Sequence, residues 1–347
     1  MRKIIKWIGG PILLALALIV ARMVFPTKMT FITELSIFAI YVMGCNLLYG
    51  YLGMVSFGQP FYLSVGAYST AIYLTYIGTN LLASLFVGMG AGLVVGVVFG
   101  PFFVRLRGDY FALVNTATCA IGLFVLEKLL LPITRGDDGL WFRSRMAETI
   151  LIDIRKSANF FFFVLLVLVI TTLLFKYMDQ SALGISFRAV KVNERKMRFL
   201  GYSAFKIKWI GFTLASILSA LAGSLYAINF GFVNPNLGTP HRAADVLVAT
   251  LMGGAGTVYG PFFGSLAFLG IRDIVSTYIG RWELFVGVLT IFLLFKFNKG
   301  IWGNIELFVD EKVRNRRIQT VKNVSLSCQQ NSKVPQRDGG ASGQGPS

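Results

Sequence analysis

Few residues in this chain suit chemistry, and they are scattered. One histidine, His241, and three cysteines, Cys45, Cys119 and Cys328, are spread over 347 residues. A zinc site needs three or four closely placed ligands, and a redox pair needs neighbouring thiols. Neither pattern occurs, so no metal or other cofactor is implied, and the thiols are expected to be inert packing groups. No G-x-x-x-x-G-K-[ST] loop is present either. The chain therefore lacks the usual phosphate cradle for hydrolysing ATP, and it is not expected to be an enzyme. The densest polar knot is "LRGDYFALVN" at 106–115, preceded by Arg105. Arg105 and Arg107 suit lipid headgroups, Gly108 permits a tight reversal, and Asp109 is expected to cap the next helix. No second acid, histidine or nucleophile lies nearby, which makes the knot a turn and not an active site.

The elements that position such residues follow from composition. Hydrophobic residues make up 55% of the chain and charged residues only 14%. A soluble protein usually carries about 25% charge, and apolar runs of about 20 residues match a bilayer crossed by a helix. The fold class is an all-α polytopic membrane protein of about eight to ten transmembrane helices. Candidate spans are 7–25, 31–49, 60–78, 81–104, 110–131, 159–178, 207–230 and 283–298. The first has a basic start like a signal peptide but no A-x-A-like cleavage site, and it is read as a retained span. Residues 1–310 form the membrane domain. The polar stretch 311–347 reads as a disordered cytoplasmic tail.

Two stretches interrupt the apolar pattern. "GYLGMVSFGQP" at 50–60 precedes the third span, and "GGAGTVYGP" at 253–261 splits the region 243–279 into a short and a longer segment. Candidate hinges are Gly53, Gly58, Gly253, Gly254, Gly256, Gly260 and Pro261. Broken backbone at membrane depth needs protein or a water-filled cavity around it. The likeness of Gly58-Gln59-Pro60-Phe61 to Gly260-Pro261-Phe262 points to an internal repeat, a feature of transporter folds. Small residues that pack helices closely would give a similar pattern.

The net charge of +17 is distributed between spans and in the tail, as in cytoplasmic loops, and not over one nucleic-acid-binding domain. Residues 179–208 and 312–322 hold the main basic clusters, which places both termini and the loop 179–208 inside. The loop 132–158 falls outside despite five basic residues. Polar residues within spans are candidates for a solute path, because burying them in lipid is costly. They are Ser56 and Gln59 beside the first break, Asn115, Thr116 and Thr118 in the fifth span, Asn229, and Asp245. Helix-packing hydrogen bonds would explain each of them as well. Glu127-Lys128 and Arg272-Asp273 are adjacent opposite charges suited to span ends or to pairing with other helices. An ion-coupled secondary transporter would show similar breaks, but it should carry a deep carboxylate relay that this sequence lacks.

Six segments in order resemble the permease subunits of ABC importers for branched-chain amino acids. "LRGDYFALV" is similar to the family's LRG-x-Y-F-A. "GYLGMVSFGQPFYLSVGAY" resembles G-x-x-G-x-x-S-x-G followed by G-A-Y, and "TRGDDGL" resembles T-x-G-x-x-G-[IL]. "FRAVKVNERKMRFLGYSAFKIK" resembles the R-A-x-[RK]-x-N-E-x6-G segment. "LAGSLYAINFGFVNP" and "LMGGAGTVYGPFFGS" match L-A-G-x-L-Y-A and G-G-x-G-x-x-x-G-P-x-x-G. There are departures: Gln59-Pro60 where His-Ala is common, no glutamate in "TATCAIGLF", and Arg195-Lys196-Met197 where an Ala-Ala pair is usual. The resemblance implies a bacterial inner-membrane permease working with separate ATPase subunits, a second homologous permease and a periplasmic substrate-binding protein. It makes the basic, amphipathic stretch 188–201 the ATPase-coupling helix, with Arg188, Asn193, Glu194, Arg195, Arg198 and Gly201 as its key residues. Without the resemblance, that stretch reads equally as a juxtamembrane helix drawn to anionic lipid.

Overall fold

Apolar runs fold as helices because a backbone in lipid must satisfy its own N–H and C=O groups. The structure, a computed structural model, describes residues 2–24, 28–106, 108–143 and 157–278, with positions 284, 287, 288 and 300–304. The helices are α1 (Arg2–Val24), α2 (Met29–Asn46), α3 (Gln59–Ile72), α4 (Leu81–Phe103), α5 (Asp109–Phe124) and α6 (Leu131–Thr134). They continue as α7 (Ser157–Gln180), α8 (Ala182–Val192), α9 (Glu194–Phe199), α10 (Ala204–Phe230), α11 (His241–Gly253) and α12 (Gly260–Tyr278). Widened π turns prolong α2, α3 and α5 over Leu47–Tyr51, Tyr73–Ile77 and Val125–Leu129. Among the described residues, five helical stretches are long and apolar enough to cross a membrane: Met29–Tyr51, Leu81–Phe103, Asp109–Leu129, Asn159–Gln180 and Ala204–Phe230. The chain is thus an all-α, multi-pass membrane protein. Most of the expected span 283–298, and all of the tail 311–347, lie outside the described residues.

α10 is the axis of the bundle, about 40 Å long from its 27 residues. Helices α2, α3 and α4 pack on it. Lipid offers no hydrophobic drive for helix association, so close contact depends on small residues and buried hydrogen bonds. A Cβ on Gly66 would overlap the carbonyl of Ala220, and one on Gly223 the carbonyl of Leu63, so α3 and α10 meet backbone to backbone. Ser216 Oγ donates to the carbonyl of Gly92 on α4 (3.0 Å), and Ser224 Oγ to that of Gly66 (3.3 Å). The outer faces of α4 and α5 leave Phe86, Phe102, Leu113 and Ile121 exposed, the surface a lipid-facing helix requires.

The region 243–279 is a helix pair, as its glycine-rich break predicts. At 13 residues α11 is about 20 Å long, too short to cross the roughly 30 Å hydrocarbon layer. The two glycine breaks meet each other inside the bundle. Asn46 Oδ1 accepts from Gly256 N–H (2.7 Å) while its Nδ2 donates to Thr257 O (2.9 Å). Gly50 lies directly against Gly256. Both breaks also end at a helix carrying proline in its first turn, Pro60 in α3 and Pro261 in α12, where the missing N–H costs no helical bond.

Two features differ from expectation. Asp109 does not cap α5: Gly108 holds the cap position at φ +53°, with no side-chain cap bond, and Asp109 is the first helical residue. Its charge still sits at the positive end of the helix dipole. A short ribbon also closes one end of the bundle, where β1 (Leu140–Trp141) pairs antiparallel with β2 (Phe232–Val233). Trp141 and Phe232 pack with ring centroids 4.3 Å apart, and Phe142 N–H donates to Gly231 O (3.1 Å). Two residues are too few to register as a strand in sequence, so this clasp has no signature there.

Candidate functional site

At the end of the bundle carrying residues 179–208, the expected single coupling helix is two helices. Asn193 is extended (φ −158°, ψ 96°) and separates α8 from α9. Its Oδ1 accepts from Lys196 N–H (3.0 Å), an N-cap that starts α9 anew. Asn and Asp compete with the helix backbone in this way, and a continuous periodic pattern conceals it. Gly201 ends α9 at φ +83°. Gly201 N–H donates to Arg198 O (3.0 Å) and Tyr202 N–H to Met197 O (3.1 Å), the paired bonds of a Schellman stop.

Glu194 ties this unit to the membrane helices. Its carboxylate accepts from Lys208 Nζ on α10 (2.6 Å) and from Arg198 one turn on. Burial alone would push its pKa up, but the bonds and charges of Lys208 and then Arg198 outweigh it and hold the carboxyl below its ordinary value. Arg188 turns inward: it pairs with Asp179 and lies over the Tyr51 ring (5.2 Å), while Tyr51 Oη donates to the same Asp179 carboxylate (2.6 Å). Arg195 is exposed. Lys191 Nζ donates to Gly50 O (2.7 Å), bringing α8 to the first break. Apolar side chains project outward from the same unit, with Phe199 90% exposed, Val192 84% and Leu200 71%.

Between this unit and the first break lies a cavity of about 420 Å³, lined among others by Gly53, Asp109, Lys191, Glu194 and Lys208. Beyond it the 52–58 segment runs into the bundle. Ser56 Oγ accepts from Gly58 N–H (3.3 Å), and Gln59 Oε1 accepts from Ser219 Oγ (2.5 Å), near the middle of α10. Gln59 Nε2 is buried with no partner among the described residues. Asn115 Oδ1 accepts from Tyr62 Oη (3.2 Å), and a Cβ on Gly58 would press on the Asn115 side chain. Ser56, Gln59 and Asn115 therefore converge. Thr116 and Thr118 do not join them: each donates to the carbonyl four residues back (2.9 Å), the self-satisfied state of a hydroxyl on a membrane helix. Asn229, whose Nδ2 is buried without a partner among the described residues, lies near the far end of α10 and stands apart from this cluster in the chain. Cys45 and Cys119 are buried, and Cys119 Sγ–H points at Phe57 O (3.5 Å). Cys328 is outside the described residues.

The expected hinge residues separate into two kinds. Gly53, Gly254 and Gly256 have φ of +71°, +111° and +85°, where other residues are strained. Gly58, Gly253 and Gly260 have ordinary backbone and are needed for close approach.

Asp245 lies toward the opposite end, where it lines a small cavity with Glu34, Tyr41, Arg242 and Arg272. Arg272 donates to Glu34 Oε1 (3.1 Å), and Asp273 pairs with Lys28 (2.6 Å). The adjacent charges at 272–273 thus join α12 to α2, one of the alternatives their positions allowed. Sequence reasoning missed Asn46, Glu34, Tyr41 and Arg242. Only Glu34 carried a usable signal, an acid inside an apolar run.

A membrane-spanning helical bundle with two glycine breaks in contact, and a short capped helix pair at one end, has the architecture of a solute permease. The chain belongs to the family of branched-chain amino acid transport system permease components, whose model matches residues 28–295. It is 26% identical over 287 residues to the high-affinity branched-chain amino acid transport system permease protein LivM of Escherichia coli K12, covering 74% of this chain and 66% of that one. The chain thus spans just under two thirds of that relative's length. It is also 23% identical over 255 residues to the permease protein BraD of Pseudomonas aeruginosa (69% and 81% covered) and 22% over 267 residues to LivH of Escherichia coli K12 (70% and 82%). No solved structure matches the chain significantly.

Proposed function

We propose that this chain is the permease subunit of an ATP-binding cassette importer for branched-chain amino acids or similar small polar solutes. In this reading it lies in the bacterial inner membrane with both termini in the cytoplasm. It pairs with a second homologous permease, receives solute from a periplasmic binding protein, and is driven by separate ATPase subunits. The converging Ser56, Gln59 and Asn115, together with Asp245 further out, belong to its solute path, and the two glycine breaks that open α3 and α12 are the repeated elements of its halves. The names of its relatives support the transported class.

The observation that carries the ATPase partnership is the outward apolar face of α8 and α9. Val192, Phe199 and Leu200 are exposed on a unit whose charges Glu194 and Arg188 are already engaged inward. An aromatic anchor flanked by basic residues suits a partner's groove, where a few buried aromatics carry most of the binding energy. Phe199→Ser tests this. Removing a well-packed anchor is expected to cost about 2 kcal/mol or more of association, about 30-fold. ATPase co-purification and ATP-driven uptake should fall together, with permease abundance and thermal stability unchanged. Normal co-purification would move the contact elsewhere, and uptake without any ATPase would replace the importer with a secondary transporter.

A further inference from the structure

Toward the end of the bundle opposite the coupling unit, the cavity between α2, α11 and α12 carries charge of both signs. Glu34 and Asp245 supply carboxylates, Arg242 and Arg272 supply guanidinium groups, and Ile37, Phe38, Leu63 and Leu237 add apolar surface beside Tyr226. Charges set between membrane helices are costly, and they concentrate where an ion or solute passes. One more group sets this cavity apart from a set of struts. Tyr41 is 3% exposed and lines the cavity, and its hydroxyl has no hydrogen-bond partner among the described residues. A buried hydroxyl left unpaired costs about 1–3 kcal/mol. Phenylalanine would fill the same space without that cost, so the hydroxyl is a donor with an acceptor still to come.

We propose that this cavity binds the zwitterionic head group of a free α-amino acid. The inference rests on the import reading above and specifies the chemistry by which one solute class is held. The ligand carboxylate takes the Tyr41 hydroxyl and a guanidinium of Arg242 or Arg272. Its ammonium faces Glu34 and Asp245, and an aliphatic side chain lies against Ile37, Phe38 and Leu63. Bonds in which both partners are charged are about twice as strong as neutral ones. A zwitterion can therefore enter the Glu34–Arg272 pair by giving each member a new opposite charge. A solute with one charge leaves one side uncompensated, and a neutral amide compensates neither. The cavity as it stands is small, about 50 Å³, room for about four waters. That is the scale of a head group, so seating the whole ligand requires the Glu34–Arg272 contact to open.

The test uses the full chain in lipid nanodiscs with radiolabelled L-leucine. Unlabelled L-alanine should displace the label, while isovalerate (carboxylate only), isoamylamine (ammonium only) and urea should not. Tyr41→Phe should weaken leucine binding about tenfold, the loss of one charge-assisted hydrogen bond, while its melting temperature holds or rises because the orphan hydroxyl is gone. Asp245→Asn should weaken leucine binding as well. Absence of leucine binding to the unaltered chain would overturn the site. So would equal displacement by isovalerate or urea, or unchanged binding in both variants. ATP-driven leucine uptake in cells expressing the complete system separates the two ideas. Uptake that is normal in Tyr41→Phe and Asp245→Asn removes the site and keeps the importer. Uptake that ignores ATP removes the importer, and the displacement pattern then still decides the site.

Discussion

Gly201 shows how one backbone angle can end a helix. At φ +83° it allows the two carbonyls of the last α9 turn to be satisfied, and no atom lies within 4 Å of where its side chain would begin. The cost of substituting it is therefore conformational and not steric. Gly201→Val should destabilise the α9 stop by about 1–2 kcal/mol, since a β-branched residue resists the left-handed region. Gly201→Asn should recover most of that loss, because asparagine tolerates this conformation. Amide exchange at Gly201 and Tyr202 measures the stop directly. Equal protection in the Val and Asn variants would show that the turn is not what holds α9. By contrast Asn46, with one side chain bonded to both Gly256 and Thr257, joins two breaks that lie more than 200 residues apart.

For α9 as an element, the deciding contact is the clasp of Glu194 to Lys208 and Arg198. Its folded pKa lies below the ordinary glutamate value of 4.5, so the sign of its pH dependence is set. A depressed carboxyl stabilises the fold fully above its unfolded pKa and loses that contribution as pH falls through the folded value. The clasp should hold from neutral pH down to about 4.5 and release in more acid solution. A spin label at the exposed Arg195 position should be slow at pH 7 and gain mobility only below that range. In Glu194→Gln it should be mobile throughout. A label whose mobility ignores pH in the unaltered protein would mean that α9 is held by Met197 packing alone.

Across the bundle, the topology proposed above places the 136–138 turn and the α8 surface on opposite sides of the membrane, separated by α7. With Cys328 replaced by serine and Cys45 and Cys119 buried, single cysteines at Asp138 and Ser186 report the two sides. Impermeant maleimide should reach Asp138→Cys from outside intact cells and Ser186→Cys only after lysis. Labelling of both from the same side would overturn the orientation. The basic residues of the 132–158 loop make this a stringent test, because the positive-inside tendency alone pulls that loop the other way.

The helical, membrane-spanning nature of the chain was legible because hydropathy summed over 20 residues depends on composition alone, with no need to know any neighbour. Helices α2, α4, α5, α7 and α10 lie where their apolar runs predict, and the glycine breaks fall between helices because no side chain elsewhere alters the backbone freedom of glycine. Local caps were only partly legible: Gly201 stops its helix as expected, but Asn193 breaks one that periodicity carried straight through. What no local pattern contained was partnership. Thr116 and Asn115 are adjacent and both bond a carbonyl four residues back on their own helix, yet Asn115 also meets Tyr62 and Gly58. Arg188 and Arg195 are both basic, yet one turns inward to Asp179 while the other faces out. Such choices depend on which helix faces which, and that is set by small-residue contacts such as Gly66 on Ala220 and Gly223 on Leu63, pairs far apart in the chain that only packing brings together.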